Sequence, residues 1–166
     1  MSWRKDKPGI LIVDDEAAVL LTYEAVMKKQ GYSVQTAITS VLGKERIDSS
    51  PFDLLLCDYS LEKQHTGFEV IDHARAKQPD IKVIMLTGYA TPETARQAEE
   101  RGISVLYKPI ELPELFRLID SLLRKNHGPD QVTGEKDANK DASQKDNKHG
   151  DSTGKGGPRS REKASA

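Results

Sequence analysis

Four short, largely apolar runs punctuate the first two thirds of the chain: Ile10-Leu11-Ile12-Val13, Phe52 to Cys57, Val83 to Leu86, and the shorter Val105-Leu106-Tyr107. Continuous apolar runs of this length predict strands covered on both faces. Tyr32 to Ala37 alternates instead, with Tyr32, Val34 and Thr36 set against Ser33, Gln35 and Ala37. That pattern predicts a strand near an edge, with one side closer to water. The segments between the strands carry helical signals. Ala17 to Lys29 is rich in helix formers and ends at Gly31, a left-handed cap. Thr39 to Asp48 is weaker, interrupted by Gly43. Phe68 to Lys77 sets Val70, Ile71 and Ala74 on one face. Thr91-Pro92 opens a helix that stops before Gly102. Leu112 to Lys125 carries a stripe of Leu115, Leu118, Ile119 and Leu122, with Arg124 and Lys125 at its negative end.

Five strands alternating with five helices predict an α/β fold, a parallel sheet with helices on both faces. Right-handed crossovers leave few arrangements. The doubly wound five-stranded order 2-1-3-4-5 fits best, because it puts the alternating second strand and the short fifth strand at the edges.

Composition changes this picture in one place. Only 36% of the 166 residues are hydrophobic, below the ~45–50% of an average domain. The deficit is local. From His127 to Ala166 the only large apolar residue is Val132, among eight basic and seven acidic side chains of interspersed sign. Such a segment cannot bury enough surface to offset ordering entropy. Residues 127–166 are therefore expected to form a disordered, charged tail, and residues 8–125 a single domain. The net charge of −1 gives no reason to expect nucleic-acid or anionic-membrane binding. One cysteine allows no internal disulfide. With no signal-peptide core and no apolar run long enough to span a bilayer, the expected compartment is the cytoplasm.

The chemistry stands where the strands end. In an open α/β sheet, ligands bind beyond the carboxyl ends of the strands. After Val13 come Asp14, Asp15 and Glu16; after Cys57, Asp58; after Leu86, Thr87; after Tyr107, Lys108. In the order 2-1-3-4-5 these ends form one row. Singly, each residue has a plainer explanation: an Asp after a strand is commonly a turn or cap residue, and Asp15 or Glu16 is expected to cap the first helix. Four such residues on four adjacent strands are hard to ascribe to chance. Three neighbouring carboxylates repel unless a cation joins them. Mg²⁺ suits the set, since it takes a few carboxylates and keeps water and phosphate oxygens. Asp58 beside such a cation, with Thr87 and Lys108 as donors, suits a carboxylate that accepts a phosphoryl group.

These segments, Ile12-Val13-Asp14-Asp15-Glu16, Leu55-Leu56-Cys57-Asp58-Tyr59, Met85-Leu86-Thr87-Gly88 and Tyr107-Lys108-Pro109, resemble the receiver domain of bacterial two-component response regulators, of flavodoxin-like topology. The likeness covers roughly residues 8 to 125. It implies that Asp58 accepts a phosphoryl group from a histidine kinase's phosphohistidine. It implies that Asp14, Asp15, Asp58 and the Ser60 backbone carbonyl hold Mg²⁺, that Thr87 and Lys108 contact the phosphoryl oxygens, and that the Lys108–Pro109 bond is cis. The side chains of Ser60 and Tyr89 would influence autodephosphorylation. The implied protein is a phosphorylated signalling module of the single-domain type and not a turnover enzyme. Its signal would leave through the fourth helix, fifth strand and fifth helix to a protein partner, with homodimerisation on phosphorylation open.

The chain also departs from the family. Val105 stands where many receivers carry an aromatic switch residue, and Tyr107 lies next to the lysine instead. Glu62 follows Leu61 where a proline is common, and the stretch to Gly67 is one residue longer. Cys57 reads as a small core hydrophobe, His65 as a loop residue, and Trp3 as a cover for the lower end of the sheet. Two alternatives stand beside this reading: a receiver-like interaction module that works without phosphorylation, and a small Mg²⁺-dependent phosphohydrolase of the haloacid-dehalogenase type. The latter expects a D-x-D pattern, whereas the pair here is adjacent. A flavin module is disfavoured because Asp14-Asp15-Glu16 would repel the flavin phosphate.

Overall fold

The computed structural model describes residues 7–62 and 65–124. The expected disordered tail, Lys125 and Trp3 lie outside the described residues. The main sheet contains β1 (Gly9–Val13), β2 (Ser33–Ala37), β3 (Leu54–Asp58), β4 (Lys82–Thr87) and β5 (Ser104–Tyr107). Its strands are all parallel, in the order β2-β1-β3-β4-β5. The helices are α1 (Ala17–Lys29), α2 (Ser40–Ser49), α3 (Gly67–Lys77), α4 (Pro92–Glu100) and α5 (Leu112–Arg124). The doubly wound arrangement expected from the alternation of elements is the one observed.

The strand pleat divides the core in two. Leu11, Val13, Leu55, Cys57, Val83 and Met85 join Phe68, Val70, Ile71 and Ala98 on the side of α2, α3 and α4. Ile10, Ile12, Leu54, Leu56, Ile84 and Leu86 join Leu20, Met27, Leu115 and Ile119 on the side of α1 and α5. Every residue of β3 is buried, as a central strand requires, whereas β2 keeps Ser33 exposed at its edge.

Several local expectations are refined. Gly31 has φ +93° and ends α1 as a left-handed cap. Gly43 does not break α2: a side chain there would meet Val13 Cγ2 at 3.1 Å, so the glycine lets the helix approach the sheet. The third strand starts at Leu54 and not at Phe52. The Phe52 backbone N–H donates to the Gln78 side chain, and Asp53 turns its carboxylate to the Gly9 N–H. Glu16 occupies the N-cap position of α1 but makes no side-chain capping bond. Asp14 accepts the Glu16 N–H instead, at 2.9 Å. A two-stranded antiparallel hairpin, Ser60–Leu61 with His65–Thr66, fills what reads in sequence as an irregular loop. Two-residue strands are too short to leave a period. The Lys108–Pro109 peptide bond is cis.

Candidate functional site

The three central strands, β1, β3 and β4, and the edge strand β5 deliver their chemistry to one spot. Asp14 follows β1 and is fully buried; Asp58 closes β3 and is 5% exposed; Thr87 closes β4 and is buried. Lys108 follows β5, and its N–H donates to the Thr87 carbonyl at 2.8 Å. Oxygens of Asp14, Asp15 and Asp58 all lie within 4.8 Å of one another. The Lys108 ammonium sits against two of these carboxylates, 3.0 Å from Asp14 Oδ2 and 3.2 Å from Asp58 Oδ1. Glu16 stands at its margin, 3.9 Å from the same nitrogen.

Two buried carboxylates and one ammonium leave the pocket short of positive charge. Burial pushes the Asp58 carboxyl up to about 6, with Asp14 and Asp15 acting in the same direction and Lys108 opposing. Burial pulls the Lys108 ammonium down, but its bond to Asp14 and the charges of Asp58 and Asp14 outweigh that and leave it raised. Three hard oxygen donors in a negatively charged pocket fit a divalent cation of the Mg²⁺ class. Ser60, the further donor implied by resemblance, lies exposed in the hairpin two residues beyond Asp58.

This charge imbalance has a measurable consequence. Asp58→Asn is expected to stabilise the metal-free protein at pH 7 by about 1–2 kcal/mol, after discounting for solvent screening at the mouth of the pocket. The folded-state carboxyl is raised above its unfolded value, so deprotonation favours unfolding. That penalty is complete above about pH 6 and vanishes as pH falls towards about 4. The advantage of the asparagine should shrink over that window in denaturant titrations with EDTA. An advantage that grew on acidification would contradict the assignment.

The Thr87 hydroxyl donates to the Tyr89 carbonyl at 2.8 Å and accepts the Tyr89 N–H at 3.2 Å, so here it holds a turn. Tyr89 and Tyr107 are exposed, and Val105 packs half-buried against the α2–α3–α4 side of the core. Burial drives the Cys57 thiol well above its ordinary value, which fits a core residue and not a reactive one. His65 Nδ1 pairs with the Glu69 carboxylate at 3.1 Å.

Three residues near the site escape a reading of strand ends. Gly67 begins α3 directly over Asp58, where a Cβ would come within 2.3 Å of the Asp58 carbonyl oxygen. Glu62, at φ +38°, sends its carboxylate to the N–H and hydroxyl of the buried Ser40, tying the hairpin to the start of α2. Tyr59 carries the Asp58 strand end towards α4. Their signals in the sequence are faint: a glycine nine residues after Asp58, and an aromatic beside it.

An acidic pocket closed by a lysine, at the carboxyl edge of a 2-1-3-4-5 parallel sheet, defines a doubly wound α/β protein of the signalling-receiver class. The family profile for the response regulator receiver domain matches residues 10–120. The chain belongs to that family. It is 30% identical over 129 residues to the transcriptional regulatory protein ZraR of Escherichia coli K12, covering 77% of this chain and 29% of ZraR. It is 32% identical over 120 residues to the alginate biosynthesis transcriptional regulatory protein AlgB of Pseudomonas aeruginosa, covering 71% and 26%. The chain thus spans less than a third of the length of these two curated relatives. Among solved structures it is similar to a CheY-like response regulator receiver domain protein from Methanospirillum hungatei, with 32% identity, a TM-score of 0.68, and coverage of 72% of this chain and 95% of that one. Among the described residues no helix is long and apolar enough to cross a membrane.

Proposed function

We propose that the chain is the phospho-acceptor module of a cytoplasmic two-component phosphorelay, with Asp58 as acceptor and a histidine kinase as donor. The observation that carries this reading is the Lys108 ammonium, 3.0 and 3.2 Å from the Asp14 and Asp58 carboxylates in a pocket still short of positive charge. An Asp58 oxygen attacks the phosphorus of a phosphohistidine. The P–O bond of an acyl phosphate forms, the P–N bond breaks, and the imidazole leaves with its electron pair. Asp14, Asp15, Asp58 and the Ser60 carbonyl would hold Mg²⁺, which supplies charge neutralisation at the phosphoryl oxygens. Lys108 keeps a fixed positive charge beside the same oxygens. Thr87 gives up its turn to Tyr89 and donates its hydroxyl to the phosphoryl group.

The modified protein differs from the free one at α4, β5 and α5, and a partner protein or a second copy of the chain reads that difference. The chain takes up one phosphoryl group, without sustained turnover on phosphate esters. The test uses a histidine kinase catalytic core carrying radiolabelled phosphohistidine. Label should pass to this chain with Mg²⁺, at one equivalent or less, and not to Asp58→Asn. Transfer to Asp58→Asn, or continuous phosphate release from small esters, would contradict the reading.

A further inference from the structure

The residue after Asp58 reaches a helix that is otherwise weakly held. Tyr59 is fixed at its backbone, where its N–H donates to the Leu86 carbonyl at 2.8 Å and its carbonyl accepts the Gly67 N–H at 2.7 Å. Bonded to Asp58 along the chain, it sits between the end of β4 and the start of α3. Its ring stacks edge-on against Phe68, with centroids 5.6 Å apart. Its hydroxyl accepts a hydrogen bond from the Thr94 hydroxyl at 3.3 Å. Thr94 in turn lies 3.0 Å from the hydroxyl of Thr91, the N-cap of α4.

The composition of α4 makes this contact matter. Its only buried residues are Thr94 and Ala98, whereas α5 buries Leu115 and Ile119, and α1 buries Leu20 and Met27. The apolar anchor of α4 is small, so polar contacts decide where it sits. At its far end the Arg101 guanidinium lies 4.4 Å above the Phe68 ring and pairs with Asp72. Tyr59 and Phe68 thus hold both ends of α4, and only Tyr59 adjoins the acceptor. Val105 packs against the same side of the core and has no polar side-chain atom with which to make such a link.

We infer that Tyr59 and Thr94 form the tether that couples occupancy of Asp58 to the position of α4. The inference rests on the phospho-acceptor reading above. The tether holds α4 seated while Asp58 is free and is released when the acceptor is occupied. Linkage then requires that cutting the tether both loosen α4 and favour occupancy.

Hydrogen exchange of the α4 amides, residues 92–101, would be followed with and without beryllofluoride and Mg²⁺. The proteins are the wild-type chain, Tyr59→Phe, Thr94→Val, Thr94→Ser, and the double variant combining Tyr59→Phe with Thr94→Val. In the wild type, beryllofluoride should raise exchange across α4. Tyr59→Phe should already exchange roughly fivefold faster without it, the loss of one modest hydrogen bond, and Thr94→Val, which also loses the contact with Thr91, at least as fast. Both should bind beryllofluoride tighter by a similar factor. Thr94→Ser should behave as wild type, and the double variant should match Thr94→Val. Unchanged α4 exchange in both single variants, or additive effects in the double variant, would overturn the tether. A wild-type chain that binds no beryllofluoride would instead overturn the acceptor reading, while exchange in the free proteins still decides whether Tyr59 and Thr94 hold α4.

Discussion

Replacing Gly67 by alanine is expected to cost about 3 kcal/mol, a fall in Tm of roughly 10 °C, and to abolish phosphoryl uptake. A Cβ at this position meets the Asp58 backbone oxygen at 2.3 Å and the Cys57 sulfur at 3.2 Å. No flexible side-chain end is available to yield. The obstacle is the backbone of the acceptor itself, held in the fully buried strand β3. The next residue's backbone is tied to the same glycine, whose N–H donates to the Tyr59 carbonyl at 2.7 Å. Relief requires moving either α3 or Asp58, and both disturb the pocket. Gly88→Ala is the matched control. It adds the same methyl one residue beyond Thr87, where a Cβ would meet nothing within 4 Å. Thermal unfolding of the two variants should differ widely. A Gly67→Ala protein as stable as the Gly88→Ala one would show that the approach of α3 to Asp58 is not as close as described.

The second large effect concerns Lys108. Lys108→Met is expected to slow phosphoryl uptake from a small donor by about 10²–10³-fold, the usual result of removing one preorganised charge from a developing anion. The variant should remain folded, since methionine keeps most of the apolar stem and the ammonium lies at the mouth of the pocket. The acceptor should change as well. Lys108 is the charge that lowers the Asp58 carboxyl. Without it the group rises further above about 6, so the metal-free variant should bind a proton at higher pH than the wild type does. Lys108→Arg should recover little of the rate, because a planar fork does not reproduce a point charge placed between two carboxylates. Uptake rates followed by intact mass at saturating Mg²⁺ provide the check. A rate close to that of the wild type would remove Lys108 from the mechanism.

The elements that carry the site were legible because each rule in play was strong. Buried parallel strands must be apolar along their whole length, so Ile10–Val13 and the run ending at Cys57 announce themselves. Asp58, Thr87 and Lys108 stand out because they end those runs. The order of the sheet followed from two weak strands needing edges, and β2 and β5 take them. What lay beyond the sequence depends on contacts between distant segments. The hairpin at Ser60–Leu61 and His65–Thr66 is too short to show a period. The Glu62 bond to Ser40 joins residues 22 apart, and the Tyr59 bond to Thr94 joins residues 35 apart. Glu16 suits the cap of α1 by type and position, yet its side chain makes no capping bond, and its own N–H donates to Asp14 in an Asx turn. Glycine at 43 signalled a weak helix, but here it is the condition for close packing on Val13.

On the proposed function, Asp58 takes up a phosphoryl group in a metal-assisted reaction. Intact-mass analysis of the full chain after incubation with acetyl phosphate and Mg²⁺ tests it most directly, with Asp58→Asn and an EDTA sample alongside. A single adduct of one phosphoryl group is expected, lost in both controls and mapped by peptide analysis to Asp58. An adduct that persists in Asp58→Asn would contradict it. So would a folded wild-type chain that forms no adduct and also fails to bind beryllofluoride.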